Sequence, residues 1–110
     1  MLVRCFIRLR QDGNQNADLV YGMLKSMFES SSEMKGNTEL LWRLARACYD
    51  LALTLEPKNP KKKELLVEGQ QYAVKAYNIN NNDFNIAKWA AALTGAVTDY
   101  LGIFNLNFLC

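Results

Sequence analysis

Apolar residues recur three and four positions apart along most of the chain, which is the spacing of amphipathic helices. The first such stripe predicts a short helix over residues 2–10, with Arg4 and Arg8 on a separate polar side. After a turn at Asp12-Gly13-Asn14, a second stripe predicts a helix from Asn16 to about Glu29. Its apolar positions are Leu19, Val20, Met23, Leu24 and Met27. No strand-like alternation competes with these helices.

The clearest amphipathic pattern follows the polar connection that ends at Gly36-Asn37. This third helix has a continuous apolar stripe made of Leu41, Leu44, Ala45, Cys48, Ala52 and Leu55. On its other side, charged residues follow one another at spacings of four, three and four: Glu39, Arg43, Arg46 and Asp50. That arrangement is typical of ion pairs on a solvated helix surface.

Two further helices are predicted by their caps and stripes. Asn59 as the cap and Pro60 at the first helical position mark the start of the fourth helix. Its stripe consists of Leu65, Leu66, Gly69, Tyr72, Ala73, Ala76 and Tyr77. Asn82 or Asp83 caps the fifth helix, whose stripe consists of Phe84, Ala87, Ala90, Ala91, Thr94 and Val97. The expected fold is therefore all-α, with about five helices in antiparallel hairpins.

Composition narrows the class of protein. A chain of 110 residues, half of them apolar and 22% charged, is expected to fold as one globular domain and not to be disordered. Its net charge of +2 is far below that of a dedicated nucleic-acid-binding face, so no nucleic-acid partner is expected. Cys5, Cys48 and Cys110 are widely spaced, which indicates neither a disulfide framework nor a zinc site.

The apolar start of the chain also bears on membrane association. Met1 to Leu9 is interrupted by Arg4 and Arg8, so we interpret it as a helix and not as a targeting signal. No run approaches the roughly 18 uncharged apolar residues that cross a bilayer. The sequence therefore predicts no transmembrane segment.

Candidate catalytic groups are few. The chain has no histidine, the commonest general base. Glu64 and Glu68 share a helix face with lysines nearby, and nothing in the sequence implies that they are buried. Cys48 lies on a core stripe and is more simply a small buried residue than a nucleophile. With no phosphate-binding loop and no metal-ligand spacing, we expect no enzyme activity, no cofactor and no metal.

Large aromatics on one helix and small residues on the next resemble the tetratricopeptide repeat, because small residues let neighbouring helices approach closely. The expected repeat-packing residues are Trp42, Ala45 and Tyr49 on the first helix, and Gly69, Ala73 and Ala76 on the second. The pattern departs from the repeat in a longer connection through Pro57 to Lys63, and in Asn81 where proline is usual. We expect the aromatic residues to fill space between helices: Trp42, Tyr49, Tyr72, Tyr77, Phe84 and Trp89.

A more specific resemblance rests on three runs of sequence. They are Glu39-Leu40-Leu41-Trp42-Arg43-Leu44-Ala45-Arg46-Ala47, Glu68-Gly69-Gln70-Gln71-Tyr72-Ala73, and Ala87-Lys88-Trp89-Ala90-Ala91. Together they resemble the regulator of microtubule dynamics family, over roughly residues 18–102. The resemblance implies a cytoplasmic, tetratricopeptide-like protein that is associated with microtubules and the mitotic spindle.

The end of the chain departs from that resemblance. We therefore predict a tetratricopeptide-like domain over residues 1–101 and a divergent apolar tail over residues 102–110, as in a truncated or alternative form. A fifth helix without a hairpin partner leaves an apolar flank that repeat proteins normally cover. This flank predicts self-association, most simply as a symmetric homodimer.

A lysine cluster at the start of the fourth helix is the most unusual local feature. The helix dipole disfavours cations at this end. One interpretation is a solvated loop, and the other is contact with an acidic surface such as the acidic tails of tubulin in microtubules. The candidate tubulin-binding residues are Lys58, Lys61, Lys62 and Lys63, joined by Arg4, Arg8 and Arg10 if the first helix lies alongside.

Two other functions stay open at this point. A peptide-binding scaffold would hold a segment of another protein on its concave side, with little dependence on the lysine cluster. A lipid-binding, membrane-contact module would use an apolar pocket between helices, as the membrane-attached relatives of the family suggest. Lipid recovered from the purified protein would favour this second alternative.

Overall fold

Four α-helices make up the part of the chain that this computed structural model describes, residues 16–109, with side chains to residue 100. Between residues 16 and 109 there is no β-strand, which confirms the expected all-α class. The helices are α1 (Ala17–Glu29), α2 (Thr38–Leu53), α3 (Pro60–Ile79) and α4 (Phe84–Leu109). A short 3-10 helix, Met34–Gly36, lies between α1 and α2. The helix predicted over residues 2–10 lies outside the described residues.

Side-chain caps fix where three of these helices begin. The Asn37 side chain accepts a hydrogen bond from the amide of Leu40 at 3.2 Å, which starts α2. Asn59 accepts from the amide of Lys61 at 2.9 Å, with Pro60 at the first helical position of α3, as predicted. Asp83, rather than Asn82, accepts from the amides at the start of α4.

Consecutive helices pack against each other, and the contact between α2 and α3 is the most extensive. Short connections join them, so neighbouring helices run antiparallel. The tetratricopeptide-like arrangement of hairpins is therefore present. No described helix combines the length and the apolar character needed to cross a bilayer.

Helix α2 supplies the centre of the core. Its predicted stripe is buried, and Leu41, Leu44, Ala45, Cys48 and Ala52 are fully inaccessible to solvent. The one exception is the last predicted position, Leu55, which lies beyond the end of α2 and is half-buried. A helix that is buried along its whole apolar stripe determines the positions of α1 and α3 on either side of it.

Gly69 on α3 marks the closest approach between helices. A Cβ atom at this position would lie 2.9 Å from the Cβ of Cys48 and 3.2 Å from the carbonyl oxygen of Ala45. Leu93 of α4 would be 3.1 Å away. The absence of a side chain at Gly69 therefore lets α2, α3 and α4 meet at one point.

Several predicted core positions are wrong. On α1, Leu19 is 51% exposed, and on α3, Tyr77 is 42% exposed. The predicted stripe of α4 is displaced, because Phe84, Ala91 and Thr94 are exposed. The buried positions of α4 are instead Ile86 and Leu93. Apolar residues lie on nearly all sides of α4, so their spacing did not single out the side that faces the core.

Candidate functional site

The four lysines of the predicted cluster differ in their exposure and in their contacts. Lys58 and Lys61 are exposed, and so is Lys63. Lys62 is half-buried, and its Nζ donates a hydrogen bond to the carbonyl oxygen of Leu55 at 3.3 Å. This hydrogen bond turns Lys62 back toward the end of α2. The four lysines therefore differ in what they can offer to a partner.

Two of the four lysines line a groove of about 810 Å³ that follows one side of α3. Its other walls come from α1 and from the second half of α4. The lining residues are Lys25, Lys58, Pro60, Lys63, Glu64, Val67, Glu68, Gln71, Tyr72 and Tyr100. We call this feature the α3 groove. Neither Lys61 nor Lys62 belongs to it.

Tyr100 joins one end of the α3 groove to the loop that precedes α3. Its hydroxyl donates a hydrogen bond to the carbonyl oxygen of Pro57 at 3.4 Å. Pro57 directly precedes Lys58, which lines the groove, so this long hydrogen bond lies next to that lysine. The end of the groove is therefore built jointly by α4 and by the loop between α2 and α3.

Glu68 is the centre of a polar network on the floor of the α3 groove. Its Oε2 atom accepts hydrogen bonds from the hydroxyls of Tyr21 and Tyr72, each at 2.7 Å. Lys25 Nζ forms an ion pair with the same oxygen at 3.0 Å and donates to the Tyr72 hydroxyl at 2.7 Å. Nothing in the sequence indicated that Glu68 is shielded from solvent, yet its side chain is only 26% exposed. The network ties α1 to α3.

The ionisation of this network follows from its contacts. Burial opposes the charged form of Glu68, but the hydrogen bonds from Tyr72, Tyr21 and Lys25 outweigh it and lower the pKa of the carboxyl group. Burial also opposes the charge on Lys25, but the hydrogen bond and the charge of Glu68 raise its pKa overall. Burial, reinforced by Glu68, raises the pKa of both tyrosine hydroxyls. At neutral pH, Glu68 and Lys25 are therefore both charged.

The remaining charges of the α3 groove are not neutralised in this way. Within the described part of the chain, Lys58, Lys63 and Glu64 make no ion pair. Since Lys25 and Glu68 offset each other, the groove is left with two free cations and one free anion. The first turn of α3 contains no acidic residue, and its dipole adds positive potential.

The predicted charge ladder on α2 forms in part. Arg43 pairs with Glu39 at 2.6 Å, and the indole nitrogen of Trp42 donates to the same carboxylate at 3.3 Å. Arg46 instead lies over the ring of Trp89 on α4, 5.6 Å from its centroid. Its Nε atom is buried and has no hydrogen-bond partner among residues 16–100. Burial, together with the nearby Arg43, lowers the pKa of Arg46.

The expected repeat-packing residues separate into two groups. The small ones are buried: Ala45, Gly69, Ala73 and Ala76. The aromatic ones differ from each other in burial. Trp42 is 7% exposed, whereas Tyr49 is half-buried and meets Trp89 edge to face, with 5.6 Å between the ring centroids. The atoms that approach Gly69 belong to Cys48, Leu93 and Ala45.

No metal-binding group of His, Cys, Asp and Glu occurs in the residues whose side chains are described. Cys48 is fully buried, and this burial raises the pKa of its thiol, with a smaller contribution from Glu68. Such a thiol is protonated at neutral pH and unreactive. The described chemistry is therefore that of charged and hydrogen-bonding side chains around a groove.

Sequence reasoning identified Lys58 and Lys63 as candidate contacts but did not indicate that Lys25 and Tyr100 lie beside them. Lys25 and Tyr100 are 33 or more positions away from Lys58 and Lys63 in the sequence, and no local spacing links them. The predicted contributions of Arg4, Arg8 and Arg10 lie outside the described residues. Only the pair Glu64 and Glu68, one turn apart, pointed to this side of α3.

Comparison of the sequence with known proteins identifies a family to which this chain is similar. A family model described as regulator of microtubule dynamics protein 1-3 matches residues 4–105. Regulator of microtubule dynamics protein 1 of Caenorhabditis elegans is 33% identical over 88 aligned residues, and the match covers 68% of this chain and 38% of that protein. The Bos taurus protein of the same name is 36% identical over 93 aligned residues, and the match covers 81% of this chain and 29% of that protein.

A third relative, regulator of microtubule dynamics protein 1 of Pongo abelii, is 42% identical over 67 residues, 61% of this chain and 21% of that protein. This chain thus spans 21–38% of the length of these three relatives. No solved structure matches it. The resemblance seen in the three sequence runs is confirmed, and the matched region extends beyond them on both sides.

Proposed function

The chain belongs to the regulator of microtubule dynamics protein family, and on this premise we propose that it is a non-catalytic adaptor that binds microtubules. In this function the helical hairpins act as a scaffold, and exposed basic residues contact the acidic surface of tubulin. The setting is the cytoplasmic microtubule cytoskeleton, including the spindle. The names of the relatives support a role in microtubule dynamics.

One observation carries the tubulin contact. Lys58, Lys61 and Lys63 are exposed at the start of α3 and make no ion pair within residues 16–100. Cations at a helix N-terminus are unfavourable unless another charge compensates them. An acidic partner would supply that compensation, and its attraction would weaken as salt is raised.

The chemistry of the buried groups supports a role without catalysis. A general base works best when its pKa lies near the operating pH. Against the opposing effect of burial, hydrogen bonds from Tyr72, Tyr21 and Lys25 lower the pKa of Glu68, which makes it a weak base. The thiol of Cys48 is buried and protonated, so it is a poor nucleophile.

Co-sedimentation with purified microtubules at low and at raised salt tests this function. We expect the chain to pellet with microtubules at low salt and to be released as the salt concentration rises. A chain that stays in the supernatant at low salt would contradict the proposal. Pelleting that is insensitive to salt would leave a microtubule contact but contradict its electrostatic origin.

The candidate residues are tested separately from the function. Changing Lys61, Lys62 and Lys63 to glutamate reverses three charges at the start of α3. Strong loss of pelleting is expected if the lysine cluster meets tubulin. Unchanged pelleting would show that the function is right and the assigned residues are wrong.

A further inference from the structure

We infer that the α3 groove binds a short, extended acidic peptide segment through Lys58 and Lys63 of its lining. The inference rests on the proposed function, because it states which lysines receive the acidic part of the partner. It separates Lys58 and Lys63 from Lys61 and Lys62, which the sequence had grouped together.

The dimensions of the α3 groove suit an extended peptide. Its lining on α3 runs from Pro60 to Tyr72, twelve residues further along the helix. At a rise of 1.5 Å per residue, this is about 18 Å. An extended strand advances about 3.3 Å per residue, so the groove accommodates about five residues. Its volume of about 810 Å³ also lies within the usual range of ligand sites.

The charges of the α3 groove favour an anionic segment. Lys58 and Lys63 are exposed and have no ion-pair partner among the described side chains. Glu68 does not oppose an anion strongly, because Lys25 and two tyrosine hydroxyls surround its charged oxygen. Glu64 is the one unpaired carboxylate of the lining, so a net positive charge remains.

Lys25 can take part without leaving Glu68. An ammonium group has three N–H donors. Two of them are directed to Glu68 and to the Tyr72 hydroxyl, at 3.0 and 2.7 Å. The third donor remains for a ligand in the groove that Lys25 lines. Lys25 would therefore add a fixed contact on the α1 side.

The hydrogen-bonding and apolar groups favour a peptide over an anionic membrane surface. The exposed side-chain amide of Gln71 can both donate to and accept from a peptide backbone. Val67 and Tyr100 supply apolar surface for the stems of side chains. A flat layer of anionic headgroups would instead engage the exposed Lys61 as readily as the lysines in the groove.

Matched charge reversals test the inference. One variant carries Lys58→Glu and Lys63→Glu, inside the groove. Its control carries Lys61→Glu and Lys75→Glu, the same change in net charge at two exposed lysines outside the groove. Binding of a fluorescein-labelled hexaglutamate peptide is followed by fluorescence anisotropy, and folding of both variants is checked by circular dichroism. Both variants are also tested by co-sedimentation with microtubules.

We expect the groove variant to bind the peptide at least about tenfold more weakly than the original chain, because like charges then face each other. The control should stay within about threefold, since its changes act only through screened, longer-range charge. Equal loss in both variants would overturn the inference, because net charge alone would then explain binding. Full binding by the groove variant, or no binding of the peptide by the original chain, would also overturn it.

Further results distinguish this inference from a membrane occupant of the groove and from the proposed function. Groove-dependent binding to phosphatidylserine vesicles, without binding to the peptide, would overturn the peptide as occupant in favour of a membrane surface. An original chain that fails to pellet with microtubules would overturn the proposed function, whereas the peptide measurement still decides the groove. Pelleting that is lost in the control variant and kept in the groove variant would support the function and overturn the inference.

Discussion

The hydroxyl of Tyr21 on α1 and the carboxylate of Glu68 on α3 are joined by a hydrogen bond of 2.7 Å. The two residues are 47 positions apart in the sequence, and α2 lies between them along the chain. Lys25, one turn further along α1, reaches the same carboxylate oxygen. These polar contacts add to the apolar core and join helices that are not consecutive.

The Glu68 network is expected to contribute to stability. Glu68→Gln removes the charge that accepts hydrogen bonds from Tyr21, Tyr72 and Lys25. Because the site is partly exposed, we expect a loss of about 1–2 kcal/mol in the free energy of unfolding. Urea unfolding followed by circular dichroism measures it. Glu64→Gln, one turn earlier on the same helix face, should change this free energy by less than about 0.5 kcal/mol.

The Glu68 network should make the free energy of unfolding decrease as the solution is acidified. The pKa of Glu68 is lowered from its usual value of 4.5, so the unfolded chain takes up a proton first as the solution is acidified. The contribution of Glu68 is therefore complete above about pH 5 and is lost as pH falls through the lowered pKa. Urea midpoints measured between pH 3 and 7 should show a shallower acid decline for Glu68→Gln. Identical declines would contradict this assignment.

At alkaline pH, the free energy of unfolding should fall as pH rises, whereas at acid pH it should fall as pH is lowered. The raised pKa values of Lys25, Tyr21 and Tyr72 mean that the folded chain keeps protons that the unfolded chain has released. Their contribution is complete below about pH 9 and is lost as pH rises further. Tyrosinate absorbance recorded during alkaline titration should show two hydroxyls that titrate late. Late titration should be less pronounced in Glu68→Gln, because burial, the larger cause of the raised pKa values, remains.

Two glycines should respond in opposite ways to the same substitution. Gly69→Ala places a Cβ 2.9 Å from that of Cys48, and we expect a net destabilisation of about 1–2 kcal/mol after the gain in helix propensity. Gly95→Ala on α4 meets nothing within 4 Å and should stabilise by about 0.5–1 kcal/mol. Thermal and urea unfolding measure both. Equal effects would show that the close approach at Gly69 does not exist.

Removal of the free carboxylate in the α3 groove should strengthen the binding of an acidic peptide. Glu64→Gln removes the unpaired anion beside Lys63 without a large change in volume. We expect up to about fivefold tighter binding of the hexaglutamate peptide at low salt, with the gain reduced at raised salt. Fluorescence anisotropy measures it. Weaker binding would mean that Glu64 is itself a contact for the ligand.

Self-association stays a prediction that solution measurements can decide. Ala91, Thr94 and Gly95 lie exposed on α4, and a second copy could cover them. Sedimentation velocity over a range of concentrations should then show a dimer. Ala91→Glu should return it to a monomer by burying an unpaired charge. A monomer at every concentration would contradict the prediction.

Local signals in the sequence were sufficient to predict the presence of the four described α-helices. Asn59 with Pro60 predicted the start of α3, because the cap and the first helical position act within one turn of the chain. The stripe of α2 predicted its buried side, since the charged residues of that helix share a different side: Glu39, Arg43, Arg46 and Asp50. Both signals depend on neighbouring residues, and both are confirmed.

The site was harder to predict, because its parts come from distant positions. Nothing near Lys25 indicates that it meets Glu68, 43 positions later. The exposed side of α4 was also missed, because alanines and other apolar residues occupy most of that helix, and its buried side, with Ile86 and Leu93, is determined by packing. Long-range contacts of this kind follow from the fold and not from spacing.

Tyr100 touches two regions of the molecule at once, since it belongs to α4 and bonds the backbone of Pro57 at the end of the α3 groove. A molecule that tilts the far half of α4 would therefore move a wall of the groove. By thermodynamic reciprocity, an occupant of the groove would change the affinity for that molecule by the same factor. Through the hydroxyl of Tyr100, binding on the far half of α4 and binding in the α3 groove would thus be coupled, although the two bound molecules make no contact.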